Sequence, residues 1–133
     1  MINLVSGGAG FIGSYIIDNL LSRNNKVICI DNFISGKKKN INQWLNHNNF
    51  RLINHDITKP INIEIDKIWH LGCPASPMIF NREPIETAKT NFLGTLNMLE
   101  LAKSKNSKIL VASSSAIYGD PEIHPQIESY SGR

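Results

Sequence analysis

The sequence predicts an α/β fold, a doubly wound parallel sheet with the strand order 3-2-1-4-5 that stops after about five strands. Three observations lead to this prediction: five short apolar runs, amphipathic segments between them, and a glycine-rich turn directly after the first run. Strand and helix alternate along the chain, and right-handed crossovers turn that alternation into a parallel sheet with helices on both faces. The length of 133 residues fits one domain.

The apolar runs are continuous rather than alternating, which is typical of parallel strands buried on both faces. The predicted strands are Ile2–Ser6, Lys26–Ile30, Phe50–Asn54, Lys67–Leu71 and Lys108–Ala112. Apolar residues spaced three and four apart predict helices between them. The first helix carries Phe11, Ile12, Tyr15, Ile16, Asn19 and Leu20, and a shorter one carries Ile41, Trp44 and Leu45. A long helix begins at Pro84 and carries Ile85, Ala88, Phe92, Leu96, Leu99 and Ala102.

Composition excludes several classes of function. The net charge is only +3, and the basic residues are scattered apart from Lys37–Lys39, so neither nucleic acid nor a membrane is an expected partner. No apolar run approaches the ~20 residues that span a bilayer, and no secretory leader is visible, so we expect a cytoplasmic protein. Cys29, Cys73 and the four histidines lack metal-ligand spacing, and no metal site is predicted.

The segment "VSGGAGFIG" predicts a turn that binds a diphosphate. Gly7 permits the tight turn, Gly10 lets backbone amides approach the phosphates, and Gly13 allows close packing of the helix. The helix that begins with Phe11 and Ile12 adds about half a positive charge at the same place. A strand, this turn and a helix in succession are the pattern of a dinucleotide site.

Asp31 ends the second predicted strand, where the adenosine ribose of a dinucleotide would lie. A carboxylate there accepts hydrogen bonds from both ribose hydroxyls and repels a 2′-phosphate, so the sequence favours NAD over NADP. The cofactor residues predicted in the segment that follows are Asn32, Phe33, Ser35 and Gly36. Asp56 and Ile57 would flank the adenine, although capping of a helix is an equal alternative for Asp56.

The segment "ILVASSSAIYGDP" places Ser113, Ser114 and Ser115 at the end of the fifth predicted strand. Ligands of such sheets bind outside the carboxyl ends of the strands, so these hydroxyls would face the nicotinamide end of the dinucleotide. The alternative is that serines only end the strand and satisfy backbone groups, a role that suits Ser113 best.

Several longer segments, "GGAGFIGS", "DNFISGKKKNI", "IWHLGCPASP", "TNFLGTLNMLELAK" and "YGDPEIHPQ", resemble the extended short-chain dehydrogenase/reductases that act on nucleotide sugars. Within that group the chain is most similar to the UDP-glucuronate decarboxylases, or UDP-xylose synthases. The resemblance implies a Rossmann-type fold, tightly held NAD, a UDP-sugar substrate with UDP-glucuronate favoured, and a homodimer. It assigns further cofactor contacts to Leu71, Gly72, Cys73, Asn91 and Ser113, and makes Ser114 and Ser115 the catalytic residues that orient the substrate.

The chemistry that the resemblance implies is oxidation of the sugar at carbon 4, loss of carbon dioxide through an enolate, and return of the hydride. Its base is the tyrosine of a Tyr-x-x-x-Lys pair. That pair is absent from residues 1–133, because Tyr15 is followed four residues later by Asn19 and Tyr118 by Glu122, and the partner of Tyr130 would be position 134. We therefore expect residues 1–133 to be a truncated NAD-binding domain without the C-terminal substrate region, inactive alone and with an altered or lost dimer.

Two departures keep other activities open. The decarboxylases commonly carry Thr-Ser-Glu where this chain has Ser114, Ser115 and Ala116, and an aromatic pair is replaced by Phe80 and Arg82. Epimerases of the superfamily often carry "SSSA" there, so a UDP-sugar 4-epimerase and a dTDP-glucose 4,6-dehydratase are alternatives. A protein that binds a dinucleotide without turnover is the alternative of another class.

Overall fold

A computed structural model describes residues 1–132 and contains one five-stranded sheet in the order β3-β2-β1-β4-β5. The strands are β1 (Ile2–Ser6), β2 (Lys26–Asp31), β3 (Phe50–Asn54), β4 (Lys67–His70) and β5 (Lys108–Val111). Every pair of neighbouring strands is parallel. The carboxyl ends of the strands therefore meet at one edge, and the predicted fold class and strand order are confirmed.

Four α-helices accompany the sheet in the part of the chain that the structure describes. They are α1 (Phe11–Ser22), α2 (Pro77–Arg82), α3 (Pro84–Lys89) and α4 (Thr95–Ser104). A π-helical turn, Thr90–Gly94, joins α3 to α4, so the predicted long helix exists with this interruption. The predicted short helix around Ile41 is instead a pair of 3₁₀ turns, Lys38–Asn40 and Asn42–Trp44, and α2 was not predicted.

Two apolar clusters cover the two faces of the sheet, because successive residues of a strand point to opposite faces. Val5 and Cys29 belong to the cluster on the face that α1 covers, together with Ile17 of that helix. Leu4 and Ile30 belong to the cluster on the opposite face, with Met98 of α4. All six residues are fully buried, so the sheet is the centre of the core.

The face of α1 that the apolar spacing emphasised is not the buried one. Phe11, Ile12 and Tyr15 are 61–77% exposed, whereas the helix buries Gly13, Ser14, Ile17, Leu20 and Leu21. This face is buried because the residues at the start of the helix on that side are small. A Cβ on Gly13 would lie 2.3 Å from the Gly7 carbonyl oxygen, so only a face without a side chain there can approach the turn and the sheet.

The long helix and β5 show the same difference from expectation. Ile85, Phe92, Leu96 and Leu99 of the predicted stripe are 40–71% exposed. Ala102 of the stripe is buried as expected, together with Met98 and Leu101 of α4, which the stripe does not include. The strand predicted as buried on both faces, β5, is an edge strand with Leu110 and Val111 about half exposed. The apolar pattern predicted that this helix and this strand exist, but neighbouring elements determine which of their faces is covered.

Candidate functional site

An open groove of ≈ 1180 Å³ runs along the carboxyl edge of the sheet, from the turn after β1 to the end of β5. Most of the residues predicted from the sequence line it. These are Gly7, Gly10, Phe11, Ile12, Gly13, Asp31, Asn32, Ser35, Gly36, Ile57, Leu71, Gly72, Cys73, Asn91, Ser113 and Ser114. Three predicted residues, Phe33, Asp56 and Ser115, lie outside its lining.

The turn after β1 has a backbone that only small residues permit. Gly7 has a φ of +71°, and a Cβ there would lie 2.7 Å from the Leu71 carbonyl oxygen. Its amide donates to the carbonyl of Ile30 at 2.9 Å, which ties the turn to the end of β2. Residues 7–13, the glycine cradle, are therefore shaped by contacts with two neighbouring strand ends, and a side chain at Gly7 or Gly13 would clash with backbone atoms.

The first turn of α1 faces the groove with donors that the helix itself leaves unused. Amides of a first helical turn, such as those of Phe11 and Ile12, have no intrahelical acceptor. The N-cap of this helix is Gly10, and among the described residues no side chain caps it. The amide of Ser14 donates to the Gly10 carbonyl at 3.1 Å. Donors and helix dipole together make this end suited to an anionic group.

Asp31 is buried and is held by backbone amides on both of its carboxylate oxygens. Oδ2 accepts from the amide of Ala9 at 2.9 Å, and Oδ1 accepts from the amide of Phe33 at 2.8 Å. A Cβ on Gly36 would lie 2.7 Å from Oδ1, so the loop after β2 closes tightly over the carboxylate. Each oxygen keeps a second lone pair, with which Asp31 can accept a hydrogen bond from a ligand hydroxyl.

Asp56 and Ile57, which were paired in the sequence prediction, have different surroundings. The Asp56 carboxylate accepts from the amide and the hydroxyl of Thr58, both at 2.9 Å, and so stabilises the turn after β3. Ile57 is buried, and a Cβ on Gly72 or Gly94 would meet its Cδ1 within 3 Å. Ile57 thus forms part of the apolar floor of the groove, where a flat ring can lie.

His70, at the end of β4, was not singled out by the sequence prediction although it lines the groove. It is buried, with Nδ1 2.6 Å from the Ser6 hydroxyl and Nε2 3.1 Å from the Thr95 hydroxyl. Burial lowers the pKa of His70 below its ordinary value, so the ring is neutral and links β1 to α4 through two hydroxyls. A histidine that ends a buried strand is the signal that would have found it.

Cys73 and Asn91, both predicted cofactor residues, contact each other. The Cys73 thiol donates to Oδ1 of Asn91 at 2.6 Å, and burial raises the pKa of this thiol. The neutral thiol and the amide form one polar patch between the β4 loop and the π-helical turn, where both line the groove.

The serine cluster is divided by the structure. Ser113 and Ser114 line the groove, while Ser115 begins a 3₁₀ turn, Ser115–Tyr118, beyond its lining. The Ser114 hydroxyl accepts from the Ala116 amide at 3.2 Å and caps this turn. Tyr118 stacks on Tyr130, with ring centroids 6.4 Å apart, and neither tyrosine lines the groove.

Residues 1–132 lack two features that would point to other kinds of site. This part of the chain has no helix with both the length and the apolar character needed to cross a membrane. Nor do three or more His, Cys, Asp or Glu side chains gather within it in a way that could hold a metal ion.

Comparison with known proteins gives a consistent group of relatives. Residues 4–131 match the model of a family described as GDP-mannose 4,6 dehydratase. The chain is 53% identical over 97% of its length to UDP-glucuronic acid decarboxylase 3 of Arabidopsis thaliana, and it spans 38% of that protein.

Solved structures agree with this at the level of the fold. A UDP-N-acetylglucosamine 4-epimerase from Methanobrevibacter ruminantium M1 superimposes with a TM-score of 0.86 and 36% identity, over 98% of this chain and 43% of that one. A UDP-glucose 4-epimerase of Thermus thermophilus, solved in complex with NAD, gives a TM-score of 0.79 and 28% identity, over 100% and 44% of the two chains.

Proposed function

Because the chain belongs to the GDP-mannose 4,6 dehydratase family, we propose that residues 1–133 are the NAD-binding domain of an enzyme that converts UDP-glucuronate to UDP-xylose. The observation that carries the proposal is the pairing of the glycine cradle at the start of α1 with the buried carboxylate of Asp31. The identity of 53% with a curated UDP-glucuronic acid decarboxylase supports the choice of substrate.

The residues of the groove fit a dinucleotide. The first-turn amides of α1 would hold the diphosphate, and a side chain at Gly7 or Gly13 would distort the turn that leads to them, because its Cβ would lie within 3 Å of backbone atoms. Asp31 would accept hydrogen bonds from the hydroxyls of the adenosine ribose. Its negative charge would repel a 2′-phosphate, which supports NAD rather than NADP. When bound, NAD supplies the acceptor and later the donor of the hydride at carbon 4 of the sugar.

Ser114 and Ser115 are the serines proposed to orient the hydroxyl of the sugar by hydrogen bonding, and Ser113 is a proposed cofactor contact. Ser114 and Ser113 line the groove at the end far from Asp31, whereas Ser115 begins a 3₁₀ turn outside that lining. Among the described residues that line the groove, none is a tyrosine or a lysine. Since the sequence lacks a Tyr-x-x-x-Lys pair, we propose that this chain binds NAD but does not turn over the sugar alone.

Calorimetric titration of the chain with NAD and with NADP tests the cofactor assignment. We expect saturable binding of NAD at a stoichiometry of one, and binding of NADP at least about tenfold weaker, because of like-charge repulsion at Asp31. Asp31→Ala should lose this preference, and Asp120→Ala is its control, since Asp120 is exposed and lies outside the groove. Equal affinity for the two cofactors, or no binding of either, contradicts the assignment.

A UDP-sugar 4-epimerase is the second candidate, and the sequence Ser113-Ser114-Ser115-Ala116 favours it because the decarboxylases commonly carry a glutamate at the fourth position. A mixture of the chain with NAD and UDP-glucuronate, analysed by chromatography that resolves sugar epimers followed by mass spectrometry, tests the two candidates. Loss of carbon dioxide from the sugar would support decarboxylation, an isomer of unchanged mass would support epimerisation, and an unchanged sugar is the result expected here.

We also propose that the chain associates with itself in a dimer that is altered from that of the family, on the evidence of the outer face of α3 and α4. Ile85 and Phe92 are about 70% exposed, and Leu96 and Leu99 continue the same face. An apolar face of this kind favours contact with a second copy of the chain. Analytical ultracentrifugation tests this, with Phe92→Glu expected to shift the distribution to monomer, and a wild-type chain that is monomeric at about 100 μM would contradict it.

A further inference from the structure

The amide and the carbonyl of Ala9 are both hydrogen bonded to residues at the end of β2 or in the segment that follows it. Ala9 is fully buried in the middle of the glycine turn. Its amide donates to Oδ2 of Asp31 at 2.9 Å, and its carbonyl accepts from the Lys37 amide at 3.0 Å and from Nδ2 of Asn40 at 2.7 Å. The amide of Ala9 is therefore unavailable to a phosphate, and the groups around it cannot rotate freely.

Asn40 supplies the side-chain donor on the carbonyl side of this arrangement. It ends the 3₁₀ turn Lys38–Asn40, where its own amide donates to the Lys37 carbonyl at 2.9 Å. Its side chain is partly buried and crosses to a residue 31 positions earlier in the sequence. Asn40 lies outside the groove lining, so it acts on the groove only through Ala9.

The arrangement holds the turn in the conformation that a diphosphate needs before the ligand arrives. A backbone that is already ordered costs less conformational entropy on binding. Without the Asn40 amide the Ala9 carbonyl keeps the Lys37 amide as a donor, so no buried group is orphaned and the fold is retained. The turn itself would gain freedom.

We propose that Asn40 is a positioning residue for the diphosphate turn, acting through the carbonyl of Ala9. The inference rests on the proposed function, because a diphosphate is the ligand that uses this turn. It adds a residue of the loop after β2 to the determinants of cofactor affinity, separate from the contact of Asp31 with the ribose.

Titration of Asn40→Ala with ADP-ribose and with adenosine tests the proposal. ADP-ribose contains the diphosphate and adenosine does not. A change in the diphosphate turn should therefore alter the affinity for ADP-ribose and leave that for adenosine unaltered. We expect the affinity for ADP-ribose to fall roughly 3- to 10-fold, the value of one hydrogen bond, and that for adenosine to stay within about twofold. Asn42→Ala is the matched control, because Asn42 is the same residue type, exposed, in the next 3₁₀ turn.

The outcomes distinguish this inference from the proposed function. A wild-type chain that binds no ADP-ribose overturns both. Wild-type binding with an unchanged affinity in Asn40→Ala overturns the inference alone, and equal losses for ADP-ribose and adenosine do the same by showing a general structural role. If Asn40→Ala does not fold, Asn40→Leu gives the same comparison, since leucine has a similar side-chain shape, no hydrogen-bond donor and no charge.

Discussion

The carboxylate of Asp31 and the amide of Ala9 are hydrogen bonded at 2.9 Å across 22 positions of sequence. This bond joins the end of β2 to the glycine turn after β1, two segments that the sequence analysis treated as separate parts of a cofactor site. Asp31 therefore has a structural role in the unliganded chain in addition to the proposed contact with ribose. The two roles predict two separate effects of one substitution.

Asp31→Asn should affect both stability and cofactor preference. The amide NH₂ would face the amide of Ala9 or that of Phe33, so one buried donor loses its acceptor and the chain is destabilised by about 1–3 kcal/mol. The lost charge should also raise the ratio of NADP to NAD affinity about tenfold. Urea denaturation and calorimetry measure the two effects, and an unchanged ratio would show that the charge of Asp31 does not select the cofactor.

Gly13→Ala should destabilise the chain by about 1–3 kcal/mol through overpacking. The added Cβ would lie 2.3 Å from the Gly7 carbonyl oxygen and 2.7 Å from the Gly8 Cα, both of which belong to backbone that cannot move aside easily. Gly10→Ala is the matched comparison, because its Cβ would meet the Gly7 oxygen at 3.1 Å, and a smaller loss is expected there. Equal melting temperatures for the two variants would contradict this account of the turn.

Stability should fall with acidification because of His70. Burial lowers the pKa of His70 in the folded chain below the ordinary value of 6.5. As the pH falls through 6.5 the unfolded chain takes up a proton that the folded chain resists, so the free energy of unfolding decreases, by at most about 1.4 kcal/mol per pH unit. Urea denaturation at about pH 8 and about pH 5.5, on either side of the ordinary histidine pKa, measures this.

His70→Asn should show a smaller decrease over the same interval, although it is less stable at the higher pH because the bonds to Ser6 and Thr95 are weakened. His124→Gln is the control, since His124 is exposed and far along the chain from β4. If His70→Asn loses as much stability on acidification as the wild type does, the burial of His70 is not the source of the pH dependence.

The two cysteines should differ in reactivity toward iodoacetamide. Burial, with the negative charge of Asp31 as a second cause, raises the pKa of Cys29 to about 12, so Cys29 should stay unlabelled in the folded chain at about pH 8. Cys73 is exposed in the groove and should label slowly, since its pKa is also raised. Intact-mass analysis should show one adduct, absent in Cys73→Ser, and NAD should slow its formation if it occupies the groove.

Much of the fold could be predicted because the signals are local. The strands Ile2–Ser6 and Phe50–Asn54 have the bounds that continuous apolar runs predicted, and Pro84 begins a helix as its missing amide allows. The buried faces could not be predicted, because α1 and α4 are apolar on more than one side. At α1 the buried face is the one that carries Gly13. The glycine pattern predicts close packing at Gly13, but it does not predict which neighbouring side chains are buried with it.

The sequence by itself determined the order of strands, the position of the glycine turn and the placement of Asp31 at the end of β2, since each depends on a run of neighbouring residues. Tertiary structure alone decided that Asp31 and Asn40 hold Ala9, that His70 joins Ser6 to Thr95, and that Ser115 lies outside the groove. These contacts join residues far apart in the chain or depend on a turn beyond a strand end. Which residues make these contacts depends on the distances between strand ends in the folded sheet. A local pattern of side chains does not specify those distances.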